Sequence, residues 1–353
     1  MEKFIYALLI PVMIILVQSC RDDDSGTVMN AVITADSSAV PGDTVWLYSV
    51  GSSAHDSILW TINIQPGHDT IRNASSDTAW LIPHNNGLYN IKLTIIKGND
   101  LVTDFHDLQV SGPNVIYGRI SADTILTKVA LGNEADYLVT GFLVVDALLE
   151  FDLQVILEFE PGTGLIVTPN GSIEATNVTF RPSGDSWVGI QLLGQDNVFV
   201  SSTIDGGGSE SFTQHPYRIA NLILSSDATA SLSSNIFSNS LGYGLVVEEN
   251  ARLVVNDNTL THAFANNSFV SNTSGPMLIP VSALEEMTAN DFSEESENTG
   301  IVIYESEYPS SLTSDPLFSD YGLPYYIKGM ITFRKSLTVL KGTELLFESD
   351  AGF

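Results

Sequence analysis

The chain has 353 residues, 44% of them hydrophobic, enough to bury more than one core, and a single cysteine, which excludes an internal disulfide. Forty-two acidic residues against fourteen basic ones give a net charge of −28. A field of that sign repels phosphate backbones and anionic headgroups, so nucleic acid and bare anionic lipid are excluded as partners, while divalent cations are loosely attracted.

The first predicted element is the apolar run 4–17, with Lys3 ahead of it, Pro11 within it and Val17-Gln18-Ser19-Cys20 behind it. It falls short of the roughly 20 residues that cross a bilayer and suits the apolar core of a secretory signal. A small residue followed by the lone Cys20 resembles a bacterial lipoprotein signal. That resemblance implies removal of residues 1–19 and lipidation of Cys20, hence membrane attachment through an N-terminal lipid. Residues 20–27 then form a tether whose Arg21-Asp22-Asp23-Asp24 resembles the surface-export signal of Bacteroidetes lipoproteins. It implies an outer-membrane or cell-surface location.

Over residues 28–112 short alternating strands are predicted at Val32-Ile33-Thr34, Asp43–Tyr48, Ile58–Ile62 and Tyr89–Ile95, broken by turn residues. This spacing suits a small β-sandwich. Gly42-Asp43-Thr44-Val45, Leu59-Trp60-Thr61 and Gly87-Leu88-Tyr89-Asn90-Ile91-Lys92-Leu93-Thr94 resemble a PKD-type, immunoglobulin-like domain, although the loop after Trp60 lacks that family's Gly-Asp turn. Asp-Ser/Thr followed by an apolar residue recurs at Thr44, Ser57, Thr70, Thr78 and Thr124. The pattern resembles the O-glycosylation sequence of exported Bacteroidetes proteins, and it is also a common way to turn into a strand.

From residue 115 to 304 the texture is different. Apolar pairs and triplets alternate with Gly, Asn, Ser and Asp, and few helical patterns occur. Gly164-Leu165-Ile166-Val167, Trp187-Val188-Gly189-Ile190, Asn221-Leu222-Ile223-Leu224 and Gly244-Leu245-Val246-Val247 form one series. Asn177-Val178-Thr179-Phe180, Asn235-Ile236-Phe237 and Asn258-Thr259-Leu260 form another. Coil-length spacing with turn asparagines predicts an all-β solenoid of stacked parallel coils, each too small to bury its inner face alone. Asn170-Gly171-Ser172-Ile173-Glu174-Ala175, Trp187-Val188-Gly189-Ile190 and Ile204-Asp205-Gly206-Gly207 resemble, in that order, motifs of bacterial right-handed parallel β-helix surface proteins. A short helix or a loop is expected within 282–297, a closing strand at Ile301-Val302-Ile303-Tyr304, and a connector over 305–321.

Residues 322–353 repeat what came before. The segment 137–165 recurs without a gap at 325–353, aligning Tyr137 with Tyr325, Gly141 with Gly329, Leu157 with Leu345 and Phe159 with Phe347. The expectation is one solenoid module followed by the opening strands of a second, in a chain that is a piece of a longer surface protein.

Parallel β-helices include enzymes that cut acidic polysaccharides, which need paired carboxylates or Ca²⁺ with a basic proton acceptor. The Asn-Thr-Asp, Asp-Asp, Gly-His-Gly and Arg-Ile-Lys motifs of pectinases find no plausible place here. Asp205 and Arg218 are the weak catalytic candidates, and turn and ladder-edge roles explain them better. The histidines lack metal-ligand spacing. In Asp104-Phe105-His106-Asp107, alternation places Asp104 and His106 on one face, where solvation suffices. Glu285, Glu286, Glu294, Glu295 and Glu297 could gather Ca²⁺ but lack a Ca²⁺-loop spacing. The expected function is a cell-surface lipoprotein whose solenoid binds a polysaccharide or another surface protein, without catalysis. A polysaccharide lyase or hydrolase and a purely structural stalk are the alternatives.

Overall fold

The computed structural model describes residues 28–212, 218–255, 263–296, 298–308 and 315–353. The leader, Cys20 and the acidic tether lie outside the described residues, as do Asn258 and Glu297.

The N-terminal unit is built on antiparallel strands Ser57–Ile64, Gly87–Lys97 and Asp100–Val110, with Ser38–Ala39 added in parallel at one edge. A two-stranded sheet, Val45–Tyr48 with Thr78–Leu81, contributes to the same core. Period-two alternation decides what is buried. Val45 and Leu47 point inward while Trp46 and Tyr48 face out, and Tyr89, Ile91 and Leu93 are fully buried. The strand expected at Val32–Thr34 is reduced to one bridge, Thr34 to Tyr48. Its neighbouring amides are taken by side chains instead: Val32 N–H donates to Ser52 Oγ and Ile33 N–H to Asp104 Oδ2, both at 2.9 Å.

From Asn114 onward the chain is a parallel β-solenoid of about nine turns with three ladders of strands. One ladder runs from Ile156–Phe159 through Thr179–Pro182, Thr203–Asp205, Ile236–Ser238 and Ser268–Val270 to Asp291–Glu294. A second runs from Gly164–Val167 through Gly189–Leu192, Ala220–Leu224, Tyr243–Val247 and Gly275–Pro280 to Ile301–Tyr308. The third runs from Thr124–Leu126 to Met287–Thr288. The first two merge on the long strand Tyr137–Val145, whose first half pairs with Ile156–Phe159 and whose second half pairs with Gly164–Val167.

The second ladder is the series read from the sequence: Leu165 pairs with Ile190, Ile190 with Leu222, and Leu222 with Leu245. Gly189 is required there. Its φ is +109°, and a Cβ would lie 2.4 Å from the Ala220 carbonyl oxygen.

The asparagine series is corrected at its first member, and its last, Asn258, lies outside the described residues. At the corner entering the first ladder, Asn177, Ser201, Ser234, Asn266 and Ala289 all adopt left-handed φ of 51–59°. The residue that follows each of them, Val178, Ser202, Asn235, Asn267 or Asn290, turns inward and is buried. Asn177 is therefore the turn residue and not a rung. The rung after Asn235 is Asn267, 32 residues on, and the next is Asn290, 23 further. Inside that corner Phe237, Phe269 and Phe292 stack at centroid distances of 5.0 and 5.2 Å.

A 3₁₀ helix occupies Val281–Glu286, and strands Met287–Thr288 and Asp291–Glu294 follow it. The strand expected to close the module extends over Ile301–Tyr308 and pairs in parallel with Tyr325–Phe333, so the recurring segment stacks directly on the coil before it. The repeat is structural. Leu157 pairs with Tyr137 and Leu345 with Tyr325 in one register, and both tyrosine hydroxyls donate to a carbonyl just upstream, Thr127 O and Ser319 O, at 3.0 Å.

Candidate functional site

The residues singled out for catalysis have structural partners. Asp205 ends its strand, and its Oδ1 accepts hydrogen bonds from Ser238 Oγ at 2.6 Å and Asn239 Nδ2 at 2.7 Å. Its carbonyl oxygen accepts from the buried indole of Trp187 at 2.7 Å. Arg218 instead pairs with Glu248 at 2.5 Å, and Glu248 also accepts the Ser226 N–H. The two candidates are thus engaged by different partners on different ladders.

Ser57, Thr78 and Thr124 each open a strand, and Thr44 stands immediately before one. Thr44, Ser57 and Thr70 are exposed, and Thr78 and Thr124 are half-buried. Their aspartates also serve the turns: Asp56 accepts the Gly98 N–H, Asp77 the Ser49 hydroxyl and Asp123 the Leu148 N–H. The mixed cluster of the N-terminal unit is similarly divided. Asp104 accepts from Ile33 N–H, His106 Nε2 bonds Asp36 O, and Asp107 accepts from Asn90.

Of the glutamates expected to gather a cation, Glu285 and Glu286 lie in the 3₁₀ helix, Glu294 ends the last strand of the first ladder and Glu295 follows it. Among the described residues no group of three or more His, Cys, Asp or Glu side chains converges. Glu295 terminates a second inward ladder, accepting both the N–H and the side-chain amide of Asn272. Burial pushes its carboxyl above the usual range despite those bonds.

Two solvent-facing arrangements among the described residues bear on function. The first is an outward row on the first ladder, where Thr179 pairs with Thr203, Thr203 with Ile236, Ile236 with Ser268 and Ser268 with Asp291. All five are at least partly accessible, and Ile236 is 42% exposed. Ladder geometry spaces such a row at about 4.8 Å per coil, close to the advance of one sugar along an extended polysaccharide.

The second is a pocket of about 250 Å³ where the N-terminal unit meets the first solenoid strand, lined among others by Asp69, Arg72, Trp80, His84 and Tyr117. The chain enters the solenoid beside it, since Val115 N–H donates to His84 O at 2.8 Å. Asp69 organises one wall. Its carboxylate accepts from the Tyr89 hydroxyl at 2.5 Å and bonds His84 Nδ1 at 2.6 Å. Burial alone would raise the Asp69 carboxyl, but the Tyr89 and His84 hydrogen bonds outweigh it and hold the group below its ordinary value. Burial and the same carboxylate push the Tyr89 hydroxyl up. This site is hard to read from sequence, because Asp69 and His84 lie 15 residues apart on separate loops and Tyr117 belongs to the solenoid. Comparison with known proteins returned no matching family model, no similar curated protein and no similar solved structure.

Proposed function

We propose that this chain is a lipid-anchored protein of the bacterial outer membrane or cell surface, held by Cys20 and binding a polysaccharide or another surface macromolecule along the outer face of its solenoid. The observation that carries the binding reading is the accessible outward row Thr179, Thr203, Ile236, Ser268 and Asp291, in unbroken register from coil to coil. A linear polymer with a similar repeat can meet equivalent positions on successive coils, so weak contacts add along its length.

In this reading the solenoid is right-handed, as parallel strands joined by crossovers are in nearly all proteins. The N-terminal unit serves as a PKD-like, immunoglobulin-type spacer. Supporting that are the buried Trp60, whose indole donates to Ser76 O, and Tyr89, whose hydroxyl accepts from Asn85 N–H just upstream, a contact like the tyrosine corner of such domains. Exposed Thr44, Ser57 and Thr70 are the preferred O-glycan acceptors, with Thr78 and Thr124 less accessible.

Affinity electrophoresis against a panel of neutral and acidic polysaccharides tests the central reading. Retardation by at least one polymer, abolished by Ile236→Glu, is the expected result. New reducing ends or unsaturated products that disappear with Asp205→Ala would replace it with an enzymatic function. Membrane fractionation of Cys20→Ser, expected to release the protein, tests the anchor. Intact mass from the native host tests glycosylation, and a bare polypeptide mass would remove it.

A further inference from the structure

A second feature lies apart from the solenoid row. Trp46 and Trp80 are directly opposite in the two-stranded antiparallel sheet, with ring centroids 6.3 Å apart. Arg72 bridges to the other side of Trp80 through both of its backbone groups: Arg72 N–H donates to Trp80 O at 2.7 Å and Trp80 N–H donates to Arg72 O at 3.1 Å. Directly opposed residues of antiparallel segments project to the same face. Trp46, Trp80 and Arg72 therefore form one stripe across three chain segments, two indoles followed by a guanidinium.

The stripe is accessible: Trp46 is 47% exposed, Trp80 is half-buried and Arg72 is exposed. Its Trp80–Arg72 end opens into the junction pocket, whose far side carries Tyr117, 59% exposed, and His84. The Arg72 side chain has no hydrogen-bond or ion-pair partner among the described residues, whereas Asp69 is committed to Tyr89 and His84. A carboxylate accepts only, so the His84 nitrogen facing Asp69 carries its proton, and Nε2 is left facing the pocket.

From the Trp46–Trp80–Arg72 stripe and its pocket we infer a second carbohydrate site, in which a neutral pyranose of an oligosaccharide stacks on Trp80 beside Tyr117. Arg72 donates to its hydroxyls and His84 Nε2 hydrogen-bonds one of them. Indole faces match the apolar C–H face of a pyranose, and the polar edge of the pocket supplies hydrogen-bonding partners for vicinal hydroxyls. The volume fits one sugar ring. The net charge of −28 selects against anionic sugars, since one guanidinium does not reverse that field. This site is independent of the solenoid row and can hold where that reading fails.

Titration of intrinsic tryptophan fluorescence on the full chain tests it, using cellohexaose, xylohexaose, mannohexaose and laminarihexaose, with a galacturonate hexamer as the anionic counterpart. At least one neutral hexaose is expected to bind with little salt dependence. Trp80→Ala and Arg72→Gln should each weaken that binding at least tenfold. Arg72 is exposed, so its variant reads the site even if Trp80→Ala fails to fold. Absence of binding by every neutral hexaose, or tighter binding of the galacturonate hexamer, would overturn the proposal. So would binding lost with Ile236→Glu and kept with Arg72→Gln, which would place the sugar on the solenoid and leave that reading standing.

Discussion

Asn267 Oδ1 receives both the backbone N–H of Asn235, at 3.0 Å, and its side-chain amide, at 3.1 Å. Asn290 does the same for Asn267 at 3.0 Å in both bonds, and Ser202 N–H donates to Asn235 one coil earlier. Each rung also donates to a strand carbonyl, Asn235 to Phe199 O and Asn267 to Leu232 O. The tight corner leaves these backbone groups without ladder partners, and the asparagines satisfy them inside a dry core.

Removing one rung strands its neighbours. Asn267→Ala takes the acceptor from the buried Asn235 N–H and the donor from Leu232 O. The expected cost is about 2–4 kcal/mol, read as a lower urea midpoint. An unchanged midpoint would mean that the corner does not depend on the ladder.

Two glycines separate backbone conformation from close approach. Gly162 has φ +77° with nothing within 4 Å of an added Cβ, so Gly162→Ala should cost about 1–2 kcal/mol from conformation alone. Gly189→Ala adds a clash with Ala220 O and should lose cooperative folding or at least about 3 kcal/mol. Equal effects in thermal unfolding would argue against the packing of the second ladder.

Asp136 and Glu295 should give stability opposite dependences on pH. Burial raises the Asp136 carboxyl, but Lys128 at 2.8 Å and the N–H groups of Ala130, Ile156 and Val129 outweigh it and lower the group. A lowered folded pKa means that its stabilisation is present above the unfolded carboxylate value and lost as pH falls through the folded value. Asp136→Asn should destabilise at neutral pH and flatten the acid limb of the stability profile. Glu295 is raised by burial, so its protonated form favours the folded state and that advantage fades as pH rises through the folded value. Glu295→Gln should therefore be neutral or stabilising at pH 7. Urea denaturation across pH reads both, and a destabilised Glu295→Gln would contradict the burial account.

The recurring segment predicts matched consequences. Tyr137→Phe removes hydrogen bonds to both Thr127 backbone groups, and Tyr325→Phe removes the one to Ser319 O. Each should cost about 1 kcal/mol, with the first the larger. Opposite or unrelated effects would show that shared register does not carry shared energetics.

Much of the solenoid was legible because its second ladder places apolar residues at Leu165, Ile190, Leu222 and Leu245 in strand-length triplets. The 188-residue recurrence was legible for the same reason, since Tyr137 and Tyr325 must fill equivalent inward positions. The asparagine rungs were not. Coils of 32 and 23 residues follow one another after Asn235, so no fixed spacing leads to Asn267 and Asn290, and turn and rung are adjacent polar residues distinguished only by φ. The Trp46–Trp80–Arg72 stripe is not legible in the sequence because it joins residues from three segments, and single-strand alternation marks Trp46 only as outward.

The most direct test of the surface-binding account is affinity electrophoresis of the intact chain beside its Ile236→Glu variant, with product analysis on the same polysaccharides. The account predicts retardation of the parent chain, its loss in the variant and no new reducing ends or unsaturated product. Turnover of any polymer that is abolished by Asp205→Ala, or retardation unaffected by Ile236→Glu for every polymer that binds, would contradict it.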